Sequence, residues 1–153
     1  MAVKGGEKLR AFIRKARAAQ LRGAKKIEVG FFSTAKYPDG TPVTNVAAWN
    51  EFGTRWRGGG TAIPERPYFR QSIERFKTEL RQPMIRVIDS STMALTESGA
   101  NFIGNFASGI LRTQITRLRT PPNSPRTIRI KGSANPLIDE GFLKGSATHK
   151  VSM

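Results

Sequence analysis

The chain of 153 residues contains no cysteine and a single histidine, His149. The first absence removes disulfide frameworks, thiolate metal sites and cysteine nucleophiles; the second leaves imidazole acid-base chemistry resting on one residue near the end of the sequence. No apolar run approaches the roughly 18 residues that a membrane-spanning helix needs. Lys4, Lys8, Arg10 and Arg14 are not followed by a continuous apolar segment, which argues against a secretory signal and for synthesis and action in the cytosol. Acidic residues are also scarce: 11 against 26 lysines and arginines, a net charge of +15. Asp39 has no second carboxylate near it in sequence, so it reads as a turn residue rather than a metal ligand. The composition points away from an enzyme, a metalloprotein or a cofactor carrier.

What is present is positive charge, unevenly distributed. Residues 1–26 carry nine lysines and arginines against Glu7 alone, a net of +8, and residues 117–153 carry a net of +5; the long middle contributes only +2. Basic ends suit contact with nucleic acid or with an acidic protein ring, and they also serve as solvated faces that keep a chain soluble. Hydrophobic content of 38% allows a folded core, and the length is that of one domain, residues 1–153.

Taken in order, 7–21 has the period of an amphipathic helix: Leu9, Phe12, Ile13, Ala16 and Ala19 form one stripe, and Arg10, Arg14, Lys15 and Arg17 occupy the rest. That stripe calls for a packing partner, and Arg10, Arg14 and Arg17 are candidates for contact with DNA or an acidic partner. Ile27, Val29 and Phe31 alternate with Glu28 and Gly30, as in a strand over 26–32. Tyr37-Pro38-Asp39-Gly40-Thr41-Pro42 has turn chemistry. Val43, Val46, Ala47 and Asn50 have helical spacing, with Gly53 as the stop. Arg55-Trp56-Arg57-Gly58-Gly59-Gly60-Thr61 offers the backbone little restraint, predicting a mobile loop. Two prolines, Pro64 and Pro67, then hold the chain extended before a helix from Tyr68 to Asp89, which Pro83 should kink or end. Asp89-Ser90-Ser91-Thr92 supplies N-cap residues for a further helix carrying Leu95, Phe102, Ile103, Phe106, Ile110, Leu111 and Ile115. Gly99, Gly104 and Gly109 make sense there if another backbone packs closely. The segment 120–153 is extended: a proline-rich connector, a weak strand pattern or helical turn at 127–131, a short helix or turn at 139–145 and a terminal strand at 147–151. The fold class expected is α+β, a small mixed sheet of about four strands packed by two or three long helices.

Two stretches carry a resemblance. Ala47-Ala48-Trp49-Asn50-Glu51-Phe52-Gly53-Thr54, a variable loop, then Ile63-Pro64-Glu65-Arg66-Pro67-Tyr68-Phe69-Arg70 leading into a helix is similar to the tail-completion and head-tail joining proteins of tailed bacteriophages. Pro136-Leu137-Ile138-Asp139-Glu140-Gly141-Phe142-Leu143-Lys144-Gly145-Ser146 resembles the same family's Pro-Leu-x-Asp-Thr-Gly-x-Leu-x-x-Ser signature, with Glu140 where Thr is usual. Neither is a catalytic signature, and together they cover about a quarter of the chain.

The resemblance implies a compact α+β virion protein, assembled in the bacterial cytoplasm. It would form a ring of six or twelve copies in the neck, between the tail tube protein and the head connector or adaptor proteins, around packaged double-stranded DNA held without sequence specificity. It implies no cofactor and no membrane. A cyclic ring needs two different patches meeting head to tail. Trp49, Phe52 and Trp56 are candidate aromatic anchors for them, although the first two suit the monomer's core better and Trp56, in its polar, glycine-rich setting, is the better anchor. Arg66 and Arg70 could bond carboxylates across the boundary. Arg55, Arg57 and Gly58, Gly59 and Gly60 would form an arm that orders on assembly or lines the channel. The reading from another class is a freestanding basic nucleic-acid-binding protein. Against it, the basic ends lack interleaved tyrosine or tryptophan and any recognition-helix pattern.

Overall fold

The computed structural model describes Arg10, Ala11, Arg14 and residues 26–88 and 95–152. Arg10, Ala11 and Arg14 are helical, and both arginines are exposed; Arg17 and the rest of the expected N-terminal helix lie outside the described residues. From residue 26 onward there follow strand β1 (Lys26–Gly30), helix α1 (Val43–Phe52), strands β2 (Thr54–Arg55) and β3 (Thr61–Ile63), and helices α2 (Tyr68–Glu79), α3 (Arg81–Val87), α4 (Glu97–Arg117), α5 (Pro125–Lys131) and α6 (Phe142–Ser146). Strand β4 (Thr148–Ser152) comes last. The architecture is α+β.

The longest helix, α4, organises the packing. Thr96 caps it, its hydroxyl accepting from the Gly99 amide at 3.0 Å, with Glu97 in the first turn and Arg117 in the last, where each charge complements the helix dipole. The expected caps at 89–92 lie outside the described residues, and Leu95 precedes the helix, bridging to Ile88. One face of α4 meets α2 and α3; the β1–β4 ladder packs against it as well. A methyl added to Gly99 would meet the Val87 carbonyl of α3 at 3.0 Å, and one added to Gly104 would overlap the His149 ring from β4. Close packing therefore explains these two glycines, one against backbone and one against a side chain. Gly109 has open space around it.

The core gathers Val43 and Ala47 of α1, Tyr68 of α2, Leu111 and Ile115 of α4, and Leu118, Leu137, Leu143 and Ala147 from the C-terminal segment. The helical stretch expected from Tyr68 to Asp89, with a kink or end at Pro83, is divided at Leu80. Pro83 has no amide to donate to the Glu79 carbonyl and its ring crowds that turn, so the first helix must end before it. Residues 125–131, read as strand or helical turn, are helical because Ser124 caps them, accepting from Thr127 at 3.1 Å, with Pro125 in the first turn.

Four strands lie among the described residues, but they form two antiparallel pairs rather than one sheet. β1 runs against β4, from Lys26 opposite Ser152 to Gly30 opposite Thr148, while β2 pairs only with β3. With two and three residues between the Gly53 stop and Pro64, the second pair is too short to extend further.

Both tyrosines of the chain touch this core, which gives the fold an alkaline limit. Tyr68 is buried and donates to the Ala47 carbonyl at 3.1 Å. Burial first, then the charge of Glu51, pushes its pKa well above the ordinary tyrosine range; burial and Asp139 raise that of Tyr37. A phenol that ionises more readily unfolded than folded contributes fully below its unfolded pKa of about 10 and loses that contribution as pH rises further. The unfolding temperature should therefore fall above about pH 10, and Tyr68→Phe should flatten the decline.

Candidate functional site

The first signature is a clamp around a hairpin. Gly53 ends α1 at φ 71° and ψ 171°, a conformation open to glycine alone, and an added methyl would stand 2.9 Å from the Ile63 carbonyl. The chain then turns through β2 and β3. The Trp56 amide donates to the Gly60 carbonyl at 3.2 Å and the Gly59 amide to the Trp56 carbonyl at 3.0 Å, with Gly59 and Gly60 at positive φ. The stretch expected to be a mobile loop is thus a short hairpin closed by the glycines that seemed to free it. Arg55, Trp56, Arg57 and Gly58 to Gly60 are all exposed on it.

At the base of the hairpin, α1 holds the start of α2. The Arg66 amide donates to the Asn50 carbonyl at 2.8 Å. The Glu51 carboxylate accepts from the Phe69 amide at 2.8 Å and the Arg70 amide at 3.2 Å, the two positions that a local N-cap side chain would serve. No such side chain exists, because the cap position is Pro67. Glu51 is only 4% exposed and also accepts from Arg70 Nε at 2.8 Å. Glu51 has no role that its own position in the sequence marks. The signal for it was a helix that begins after Pro67 with no Ser, Thr, Asp or Asn to cap it, so that its cap had to come from elsewhere in the chain.

The two arginines proposed to reach across a subunit boundary find their partners within the chain. Arg66 is 4% exposed. It donates through Nε to the Pro121 carbonyl (3.1 Å), through Nη1 to Asn50 Oδ1 (2.9 Å), and through Nη2 to the Pro122 carbonyl (3.4 Å) and Asn123 Oδ1 (3.0 Å). It ties the proline-rich connector to the clamp, and burial pulls its pKa below the ordinary arginine value. Arg70 pairs with Glu51 and Glu65 and lies over the Phe52 ring, 5.6 Å from its centre; the bonds to Glu51 and then Glu65 raise its pKa.

The aromatic residues divide otherwise. Phe52 and Trp56 are 68% and 67% exposed and Trp49 43% exposed, so the reading that Trp49 and Phe52 fill the core does not hold. Tyr68 and the small Ala47 take that place, leaving the larger rings of α1 on the outside. Phe52 borders an apolar cleft of about 250 Å³ with Phe31, Ala48 and Phe69. Trp49 borders a second of about 260 Å³, where Leu137, Phe142 and Leu143 of the second signature meet α1. Phe142 packs on Tyr37 with ring centres 4.7 Å apart. The two signatures, distant in sequence, are thereby neighbours in space.

Among the described residues, no group of three or more His, Asp or Glu side chains is placed to hold a metal ion. Within the same residues no helix is long and apolar enough to cross a membrane. Compared with family models, curated proteins and solved structures, the chain matches none.

Proposed function

We propose that this protein is a non-catalytic structural component of a tailed bacteriophage, a subunit of a ring at the head-tail interface that completes the tail and joins it to the capsid connector around the DNA channel. The observation that carries this reading is the clamped hairpin: both signature pieces close on one core, the hairpin presents Trp56 between Arg55 and Arg57 on a hydrogen-bonded base, and the rings of Phe52 and Trp49 are likewise uncovered. Exposed aromatic side chains with flanking arginines have the composition of subunit-contact anchors. Among the described residues, each two-stranded ladder has unpaired outer edges, which a neighbour's strand could complete into a larger sheet. Arg10 and Arg14, exposed on their helix, would face DNA or an acidic partner.

The test is electron microscopy of particles made by a phage whose copy of this gene is disrupted, complemented with the intact gene or with one lacking Gly58 to Gly60. Full heads beside free tails of normal length support joining, and overlong tails support termination. The deleted form should fold, as seen by circular dichroism, yet fail to complement. Infectious virions without the gene would sink the proposal. Steep loss of specific DNA affinity with rising salt would then favour the freestanding nucleic-acid binder.

A further inference from the structure

Behind the hairpin lies a cleft of about 660 Å³ between β3, the proline-rich connector and α5, and its charge is unbalanced. Two cations line it, Arg66 and Lys131, along with the hydroxyls of Thr61, Ser124 and Thr127, and no carboxylate does. Among the described residues neither cation takes part in an ion pair. Arg66 is almost wholly buried, yet its acceptors are three neutral groups of the connector and the Asn50 side chain. Among the described residues, four of its five N–H groups have acceptors and one on Nη1 has none. Lys131 donates to the Asn135 and Pro136 carbonyls at 3.2 and 3.4 Å, again neutral partners. Burial lowers its pKa; Asp139, outside the cleft, opposes that, and the nearby charge of Arg66 adds to it.

A buried cation ordinarily has a counter-charge, because taking it out of water is costly and neutral acceptors recover only part of the loss. Here Arg66 has none, and the half-buried Lys131 beside it has only Asp139, which lies outside this cleft. Of the other basic side chains described, Arg70, Arg75 and Lys77 each have a carboxylate at hand, while Arg112 and Arg119 donate to backbone carbonyls.

We propose that this cleft is an oxyanion site, in which Lys131, the uncommitted N–H of Arg66 and the hydroxyls of Thr61, Ser124 and Thr127 receive a phosphate group. The cations supply charge; Thr61, and whichever of Ser124 and Thr127 does not donate to the other across their 2.8 Å contact, supply hydroxyl donors to the remaining oxygens. The site stands whether or not the chain assembles into rings, since all its residues come from one copy.

The experiment titrates the full chain with inorganic phosphate, against chloride at matched ionic strength, and follows amide chemical shifts together with thermal unfolding. Saturable shifts at Thr61, Ser124 and Thr127 on one isotherm, with a matching rise in Tm, are expected. Lys131→Gln should weaken that isotherm about tenfold, as the loss of one charge-assisted contact implies, while Lys77→Gln on the exposed face of α2 leaves it unchanged. Identical responses to phosphate and chloride would overturn the site. So would equal effects of the two lysine substitutions, which would reduce the response to counter-ion screening of a highly basic chain. A short DNA duplex that competes with phosphate for the same amides identifies the group as a backbone phosphate, and lack of competition identifies a free oxyanion.

Discussion

Glu51→Ala is expected to lower the unfolding free energy by about 3 kcal/mol, because it strips a cap and leaves buried donors without acceptors. For a chain of this size that corresponds to a fall in Tm of roughly 6–12 °C, measurable by calorimetry or circular dichroism. The size follows from where the carboxylate sits. It accepts from the amides of Phe69 and Arg70 in the first turn of α2, and nothing local can replace it, since Pro67 occupies the cap position. Water cannot readily substitute, because Glu51 is buried. Glu51→Gln separates the parts of the effect: its amide oxygen can still accept from one backbone amide, but its NH2 group would face Arg70. An intermediate loss is expected for it. A Glu51→Ala variant as stable as the parent would show that the clamp does not hold α2.

Arg66→Met should cost more, about 4 kcal/mol, because four neutral acceptors lose their donor at once. Methionine keeps much of the side chain's volume and so isolates the guanidinium. Its loss strands the Pro121 and Pro122 carbonyls and the side-chain oxygens of Asn50 and Asn123, all of which Arg66 alone gathers. Arg66→Lys should recover little, because a compact ammonium cannot span acceptors arranged around a planar fork. The measurement is denaturant unfolding of the three chains under one condition. The outcome that counts against this account is Arg66→Lys matching the parent, which would mean that charge rather than geometry holds the connector.

Much of the architecture was legible because it is local. The alternation of Ile27 and Val29 marks β1, Gly53 marks the end of α1, and the apolar stripe through Ile103, Ile110, Leu111 and Ile115 marks α4. What could not be read depended on distant partners. Tryptophan and phenylalanine in α1 look like core residues by composition, but the core beside that helix is filled by Tyr68, Leu137 and Leu143, so Trp49 and Phe52 remain outside. Arg66 and Arg70 look like free cations in a polar stretch. Their acceptors come from α1 and from a connector more than 50 residues away, and sequence spacing carries no trace of such pairings. The glycine triplet left its form open in a third way, since freedom of φ allows a tight turn as easily as it allows motion.

The clamp also separates two kinds of change that most domains keep tied together. Asn50 and Arg66 close the base of the hairpin by themselves, so everything between Thr54 and Ile63 is a surface excursion whose length adds to the closure entropy only logarithmically. Residues could be inserted at Gly58 to Gly60, or the Arg-Trp-Arg tip rewritten, with little effect on how the rest of the chain folds. Two proteins could share this base and carry unrelated tips, so that what the tip recognises is free to diverge while the scaffold beneath it stays the same.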